Sequence, residues 1–123
     1  MIAISEAESR VMGVLWARGA STADEVFAEL GAAEGWQEAT VKTLLNRLLK
    51  KGAVSAESEG RRYRYAPTLR QSDWVLEESS SLIDRLFNGR VAPLVAHFSQ
   101  HGRLSQSDVD ELRRLIAEID GDA

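Results

Sequence analysis

The hydrophobic pattern of this 123-residue chain changes its period at Gly52. Up to this glycine, apolar residues recur at the spacing that places them on one face of an α-helix. From Val54 to Tyr65, apolar and polar residues alternate instead, on either side of the turn-forming segment Glu57–Gly60. The change predicts helices followed by a β-hairpin, with arginines near the tip of the hairpin and Pro67 at the end of its second strand.

Capping signals divide the segment up to Gly52 into three helices. Two residue pairs, Ser5 with Glu8 and Thr22 with Glu25, have the spacing of a capping box. We expect the first helix to end at Gly19 and the second at Gly31, because glycine tolerates the left-handed conformation that follows many helices. The third helix follows Trp36, and its last residues before Gly52 are two lysines, which suit the negative end of a helix dipole.

The remaining segment predicts three further helices, over about 72–87, 91–100 and from Ser105 onward. We therefore predict a mainly α fold with a small β-hairpin, made of an N-terminal domain at 1–69 and a helical domain at 70–123. Three short helices followed by a basic hairpin are typical of a winged helix-turn-helix, whose third helix enters the major groove of DNA.

The C-terminal helices have apolar faces that are too large for small isolated helices to bury. We expect these faces to hold two copies of the chain together, so that residues 70–123 form a homodimerisation domain. Packing within one chain is the alternative. The residues on these faces are Leu82, Leu86, Leu94, Phe98, Leu112, Leu115 and Ile116.

Composition narrows the classes of function. The chain has no cysteine, which excludes disulfides and thiolate metal sites and is compatible with the reducing cytoplasm, where we expect the protein. No apolar run approaches the roughly 20 residues of a membrane span, so we expect neither a signal peptide nor membrane insertion. No Ser/His/Asp arrangement and no phosphate-binding glycine loop is evident, so we predict neither an enzyme nor a cofactor.

Charge is distributed unevenly along the chain. The net charge is −4, which by itself argues against a polyanionic partner. The segment 36–70 nevertheless holds eight basic and three acidic residues, a balance of +5, whereas 71–123 holds five basic and ten acidic residues, a balance of −5. This asymmetry indicates that the first segment faces an anion and that the second has a different task.

The third predicted helix has a polar face suited to DNA. Hydroxyl, amide and guanidinium groups are the side-chain groups that bind base edges and phosphates. A merely solvated face would mix glutamates among the cations, but no acidic residue follows Glu38 in this helix. The residues of this face are Thr40, Lys42, Thr43, Asn46, Arg47 and Lys50.

These segments resemble the penicillinase-repressor group of bacterial winged-helix regulators, the BlaI/MecI/CopY family. The matching elements are Ser5-Glu-Ala-Glu8 with Val11-Met12 and Trp16, the segment Trp36–Gly52, Gly60-Arg61-Arg62-Tyr63-Arg64-Tyr65, and Leu94-Val95 with Phe98. The resemblance implies a homodimeric repressor that binds a palindromic operator in double-stranded DNA and blocks transcription.

The resemblance also implies individual roles. On the third helix, Lys42, Thr43 and Asn46 would face bases, and Thr40, Arg47 and Lys50 would face phosphates. Arg61 and Arg62 of the hairpin would contact the DNA backbone or the minor groove. Gln37 stands where relatives often have a better helix cap.

Relatives controlled by membrane sensor proteases are cut within the fifth helix, at a bond that aligns with His97-Phe98 here. The resemblance therefore implies derepression by proteolysis, of the kind that regulates β-lactam resistance. This chain keeps the phenylalanine of that bond but has a histidine in place of the asparagine.

Two other interpretations stay open. A winged-helix protein-interaction module would use the same basic face to bind an acidic protein. A metal-responsive repressor would use His97 and His101, whose spacing of four can bring two imidazoles to one ion, although two ligands do not make a site.

Among the aromatic residues, we expect Trp16, Phe27 and Trp36 to lie in the core, and Tyr63 and Tyr65 to cover it.

Overall fold

The computed structural model describes residues 2–121 and contains, within that range, six helices and a three-stranded sheet. The helices are α1 (Glu6–Arg18), α2 (Ala23–Glu34), α3 (Glu38–Lys51), α4 (Gln71–Phe87), α5 (Val91–Gln100) and α6 (Gln106–Gly121). The strands are β1 (Ser21–Thr22), β2 (Val54–Glu59) and β3 (Arg62–Pro67). The predicted mainly α fold with a β-hairpin is confirmed.

The sheet is antiparallel, with the strand order β1-β3-β2. The pairing of β2 with β3 continues as far as Glu59 and Arg62, so that only Gly60 and Arg61 form the turn. The turn is therefore shorter than the predicted segment Glu57–Gly60, because Glu57 and its neighbours continue the ladder. Gly60 has a φ of +65°, which a glycine adopts without strain.

The hydrophobic core lies between α1, α2, α3 and the sheet. Tyr65 covers it from β3, and Trp16, Phe27 and Trp36 are partly buried against it, as predicted. The fully buried apolar side chains are Val11, Met12, Leu15, Val26, Val41, Leu45, Leu48 and Ala53.

The second helix continues past its predicted end at Gly31. The helix ends at Glu34 and is capped by Gly35, which adopts the left-handed conformation. Gly31 has a different task, because a Cβ atom there would lie 2.5 Å from Cε1 of Phe27. Glycine at position 31 thus makes room for an aromatic ring that packs against the core.

The chain divides into an N-terminal unit, Met1–Val75, and a C-terminal unit, Leu76–Ala123. Within the N-terminal unit, the indole of Trp16 donates a hydrogen bond to the carbonyl of Leu69 (2.8 Å), and its ring lies 5.6 Å from that of Trp74. The start of α4 is thereby attached to the winged helix. The domain boundary at 69/70 stays a prediction.

The C-terminal unit has no buried residue among those that the structure describes, 76–121. Its helices are amphipathic, yet their apolar residues are largely open to solvent: Leu86 is 62% exposed, Ile116 57% and Phe98 41%. At the start of α6, Ser105 and Asp108 form reciprocal capping hydrogen bonds. Over residues 2–121, no helix combines the length and apolar character needed to cross a bilayer.

Candidate nucleic-acid interface

Helix α3 has one buried and one exposed face. Val41, Leu44, Leu45 and Leu48 are buried and fix the helix on the core. All six predicted DNA-binding residues of the helix lie on the opposite, exposed face: Thr40, Lys42, Thr43, Asn46, Arg47 and Lys50. The hydrophobic contacts thus orient the polar groups without using them.

The two ends of α3 are built differently. Gln37 occupies the N-cap position, and its side chain makes no capping hydrogen bond, as the sequence suggested. At the other end, Gly52 has a φ of +79° and its amide donates to the carbonyls of Leu48 and Leu49. The C-terminal end is therefore closed by hydrogen bonds, whereas the N-terminal end lacks a side-chain cap.

A cleft of about 260 Å³ separates α3 from the β2–β3 hairpin. The fold brings together in its walls residues that are distant in sequence: Lys42 and Asn46 from α3, and Arg61 and Arg62 from the hairpin. The first turn of α2 completes the cleft with Thr22, Ala23 and Asp24.

The remaining predicted residues of α3 lie outside this cleft. Thr40, Thr43 and Arg47 line a shallow depression together with Ala39. The hydroxyl of Thr43 donates to the carbonyl of Ala39 at 2.9 Å, which leaves its oxygen lone pairs able to accept a hydrogen bond. Lys50 lines neither the cleft nor the depression.

The two hairpin tyrosines do not share one role. Tyr65 is only 9% exposed and covers the core, as predicted, but the prediction was wrong for Tyr63, which is 57% exposed. Tyr63 pairs with Ser58 near the tip of the hairpin, beyond the helical core, and lines the cleft. The alternation of the strand could not reveal this, because both tyrosines fit the same period-two pattern.

The cations of the interface differ in their partners. Nζ of Lys42 lies 3.5 Å from Glu38, and Nη1 of Arg62 lies 3.6 Å from Asp24. Among the described residues, no carboxylate lies within ion-pair distance of Arg47, Lys50 or Arg61. These three cations are therefore the ones most open to an external anion.

Arg64 is held within the protein. Its guanidinium donates to Glu59 (2.6 Å), to the carbonyl of Ala20 (3.0 Å) and to Glu25 (3.4 Å). The hydrogen bond and charge of Glu59 raise the pKa of Arg64, with a smaller contribution from Glu25. The backbone amide of Thr22 chiefly lowers the pKa of Glu25, and Arg64 adds to this effect. Arg64 thus connects β3 to the start of α2.

A buried carboxylate fixes the end of α3. Glu8 is 1% exposed, and its Oε1 accepts hydrogen bonds from the amide of Ser5 (2.7 Å) and from Nζ of Lys51 (2.5 Å). Burial acts to raise the pKa of Glu8, but hydrogen bonds from Lys51 and Ser5 outweigh it, so that the pKa lies below its ordinary value. One carboxylate thus caps α1 and holds the last residue of α3. The sequence indicated the capping role only.

The model of the penicillinase repressor family matches residues 4–118. The chain belongs to this family. The penicillinase repressor of Bacillus licheniformis is 36% identical over 115 residues, which cover 94% of this chain and 90% of that protein. The methicillin resistance regulatory protein MecI of Staphylococcus aureus (strain N315) is 29% identical over 113 residues, covering 92% of each.

Membership of the penicillinase repressor family is supported by the structure of the N-terminal unit. The monomeric form of Bacillus licheniformis BlaI, solved in solution with the blaP half-operator, superposes with a TM-score of 0.52 at 40% identity. The superposition covers 59% of this chain and 90% of the solved chain. The winged-helix assignment is thereby confirmed for this member of the penicillinase repressor family.

Proposed function

We propose that this protein is a transcriptional repressor that binds a palindromic DNA operator as a homodimer. One observation carries the proposal: cations and hydrogen-bonding groups occupy the exposed face of α3 and the hairpin tip, and some of them line one cleft between these two elements. The same unit is 40% identical to a family member that was solved with a half-operator. The protein would act in the cytoplasm, where operator DNA is accessible in a bacterium.

Thr43 and Asn46 are proposed to read bases together with Lys42. Bases are distinguished in the major groove by hydrogen bonds to their edges, and a threonine or an asparagine supplies these without adding net charge. Thr40, Arg47, Lys50, Arg61 and Arg62 are proposed to bind the phosphates, which position a protein on DNA without reading its sequence.

Replacing Thr43 or Asn46 by alanine is expected to weaken operator binding by about 1 to 3 kcal/mol and to leave binding to random DNA nearly unchanged. The matched control is Arg61→Gln, which should weaken binding to both duplexes. Titrations of a labelled palindrome and a scrambled duplex of equal length measure both effects. If both alanine variants keep the full preference for the operator while remaining folded, α3 does not read the bases.

Dimerisation is proposed to involve the apolar faces of the C-terminal unit. Two winged helices related by a two-fold axis would reach successive major grooves, so the half-sites should lie about one helical turn apart. The acidic balance of this half of the chain suits a position away from DNA. The proposed contact residues are Leu82, Leu86, Leu94, Phe98, Leu112, Leu115 and Ile116.

Derepression is proposed to occur by cleavage between His97 and Phe98, performed or triggered by a membrane sensor protease. Both residues are exposed on α5. The bond nevertheless lies inside a helix, and a protease needs an extended segment, so cutting requires local unfolding of α5. A cut there would detach α6 from the rest of the chain and remove part of the proposed dimer contact.

Cells exposed to a β-lactam are expected to accumulate a shortened N-terminal product, visible on Western blots with an N-terminal tag. Phe98→Ala should reduce its amount, whereas the adjacent control Ser99→Ala should not. The readout is the size of the product and not repression, because Phe98 also belongs to the proposed dimer contact. Derepression with only full-length protein present would contradict cleavage.

The two alternatives are less favoured. A protein-interaction module would not explain the match along 4–118 to a family of repressors. His97 and His101 do lie close together, with ring centroids 4.6 Å apart. In the described residues, however, no group of three or more metal-binding side chains surrounds them. The repressor function therefore fits the observations best, and it requires no catalytic activity of this chain.

A further inference from the structure

Asp24 places a negative charge in a surface that otherwise suits DNA. It is the only acidic residue among the described residues that line the cleft between α3 and the hairpin. Lys42, Arg61 and Arg62 line the same cleft. A carboxylate at this position would face the phosphates that the neighbouring cations attract, so it needs an explanation within the proposed function.

The carboxylate of Asp24 is paired with a cation of the hairpin. Its Oδ2 lies 3.6 Å from Nη1 of Arg62, and the side chains are 53% and 68% exposed, respectively. An ion pair that is open to water on this scale is weak, and another anion can take the place of Asp24. Arg61 has no carboxylate within ion-pair distance in the described part of the chain. In the free protein, Arg62 is therefore paired with a carboxylate, whereas the adjacent Arg61 is not.

We infer that Asp24 competes with DNA phosphate for Arg62 and so lowers the affinity of the protein for every duplex. This inference rests on the proposed DNA-binding function. Arg62 can bind a phosphate only after it leaves Asp24, and the freed carboxylate then remains close to the DNA backbone. The competition does not depend on base sequence, so it restrains operator and random DNA alike.

The inference has a measurable signature in the salt dependence of binding. Each free cation that neutralises a phosphate releases counterions and steepens the plot of log affinity against log salt by about 0.9. Arg62 is paired with Asp24 and must leave this carboxylate before it binds a phosphate, so it contributes less to that slope than a free cation does. Removing the charge of Asp24 should therefore raise affinity by up to about fivefold at about 0.15 M salt and steepen the slope by up to about 0.9.

The test compares Asp24→Asn with Glu29→Gln in the full-length protein. Glu29 also lies on α2 and also pairs with an arginine, Arg18 at 3.2 Å, but it lines a different groove. Both substitutions remove one negative charge, so only a local effect separates them. Affinities for a palindromic operator and for a scrambled duplex are measured over a range of salt concentrations, with circular dichroism as a check of folding.

Asp24→Asn is expected to tighten binding to both duplexes equally, whereas Glu29→Gln should change either affinity less than about twofold. The gain should be lost when Arg62→Gln is added to Asp24→Asn. An unchanged affinity and slope in Asp24→Asn, or an equal gain without Arg62, overturns the inference. Equal binding of both duplexes by the wild-type protein would instead contradict the proposed repressor function. The effect of Asp24 would still be measured on the scrambled duplex, because the competition does not depend on base sequence.

Discussion

Replacing Ile116 by aspartate is expected to reduce affinity for a two-half-site operator by about 100-fold or more, while affinity for a single half-site stays unchanged. Ile116 is 57% exposed on the apolar face of α6. A charge in the centre of an apolar contact would have to be removed from water without a partner, which disfavours the dimer strongly. A monomer then loses the second half-site, whose binding is intramolecular in the dimer.

The matched control for Ile116→Asp is Ser107→Asp. Ser107 lies on the same helix, is exposed and polar, and receives the same added charge. Sedimentation velocity measures the oligomeric state, and titrations of the full operator and of one half-site measure the two affinities. A dimer of unchanged stability in Ile116→Asp would place the contact elsewhere and contradict the proposed role of this face.

Replacing Lys51 by methionine is expected to cost about 2 to 4 kcal/mol of unfolding free energy at neutral pH. The substitution leaves the carboxylate of Glu8 buried without its cation, and breaking a buried pair in this way costs about 3 to 5 kcal/mol. We expect a smaller loss, of about 2 to 4 kcal/mol, because Lys51 itself is 38% exposed and Ser5 still donates to the carboxylate. Among the described residues, no group donates to Oε2 of Glu8, so this oxygen offers nothing that would offset the loss of Lys51.

The pH dependence of this effect has a definite sign. Because the pKa of Glu8 is lowered on folding, its ionised form stabilises the protein above the ordinary value of 4.5, and this stabilisation is lost as the pH falls through the lower folded pKa. Lys51→Met removes the main cause of the lowering. The difference between wild type and variant should therefore be largest near neutral pH and shrink in acid.

Urea unfolding at neutral pH and below pH 4 measures this difference. Lys50→Met is the control, because Lys50 is exposed and has no carboxylate within ion-pair distance among the described residues. It should change stability by less than about 0.5 kcal/mol. Equal losses in the two variants, or a loss from Lys51→Met that does not shrink in acid, would show that Glu8 and Lys51 do not act as a buried pair.

The parts of the fold that depend on neighbours along the chain were predictable. Capping pairs such as Ser5 with Glu8 form between residues three apart, and they correctly indicate where α1 and α2 begin. Strand β1 was not predictable. It contains only two residues and is defined by pairing with β3, more than forty positions away. The prediction that α2 ends at Gly31 failed because the reason for that glycine is the ring of Phe27.

In the candidate site, too, features that depend on residues close in sequence were predictable, whereas pairings between distant residues were not. The spacing of Thr40, Thr43 and Arg47 placed them on one helix face, and the structure exposes them there. The pairing of Arg62 with Asp24 joins residues that are far apart in sequence, so only the fold reveals which cations are neutralised. The double use of Glu8 was hidden for the same reason. Sequence therefore indicated which groups form the surface, but not the charge that each presents.

The contact between Trp16 and Trp74, whose rings are tilted by 37°, belongs to a distribution of tryptophans that determines what fluorescence of this protein reports. Its three tryptophans, at positions 16, 36 and 74, all belong to the N-terminal unit, and the segment 76–123 contains neither tryptophan nor tyrosine. Tryptophan fluorescence, excited at the red edge of the absorption band, therefore reports on the N-terminal unit alone. Unfolding of the C-terminal helices should leave this fluorescence unchanged unless the unfolding extends along α4 to Trp74.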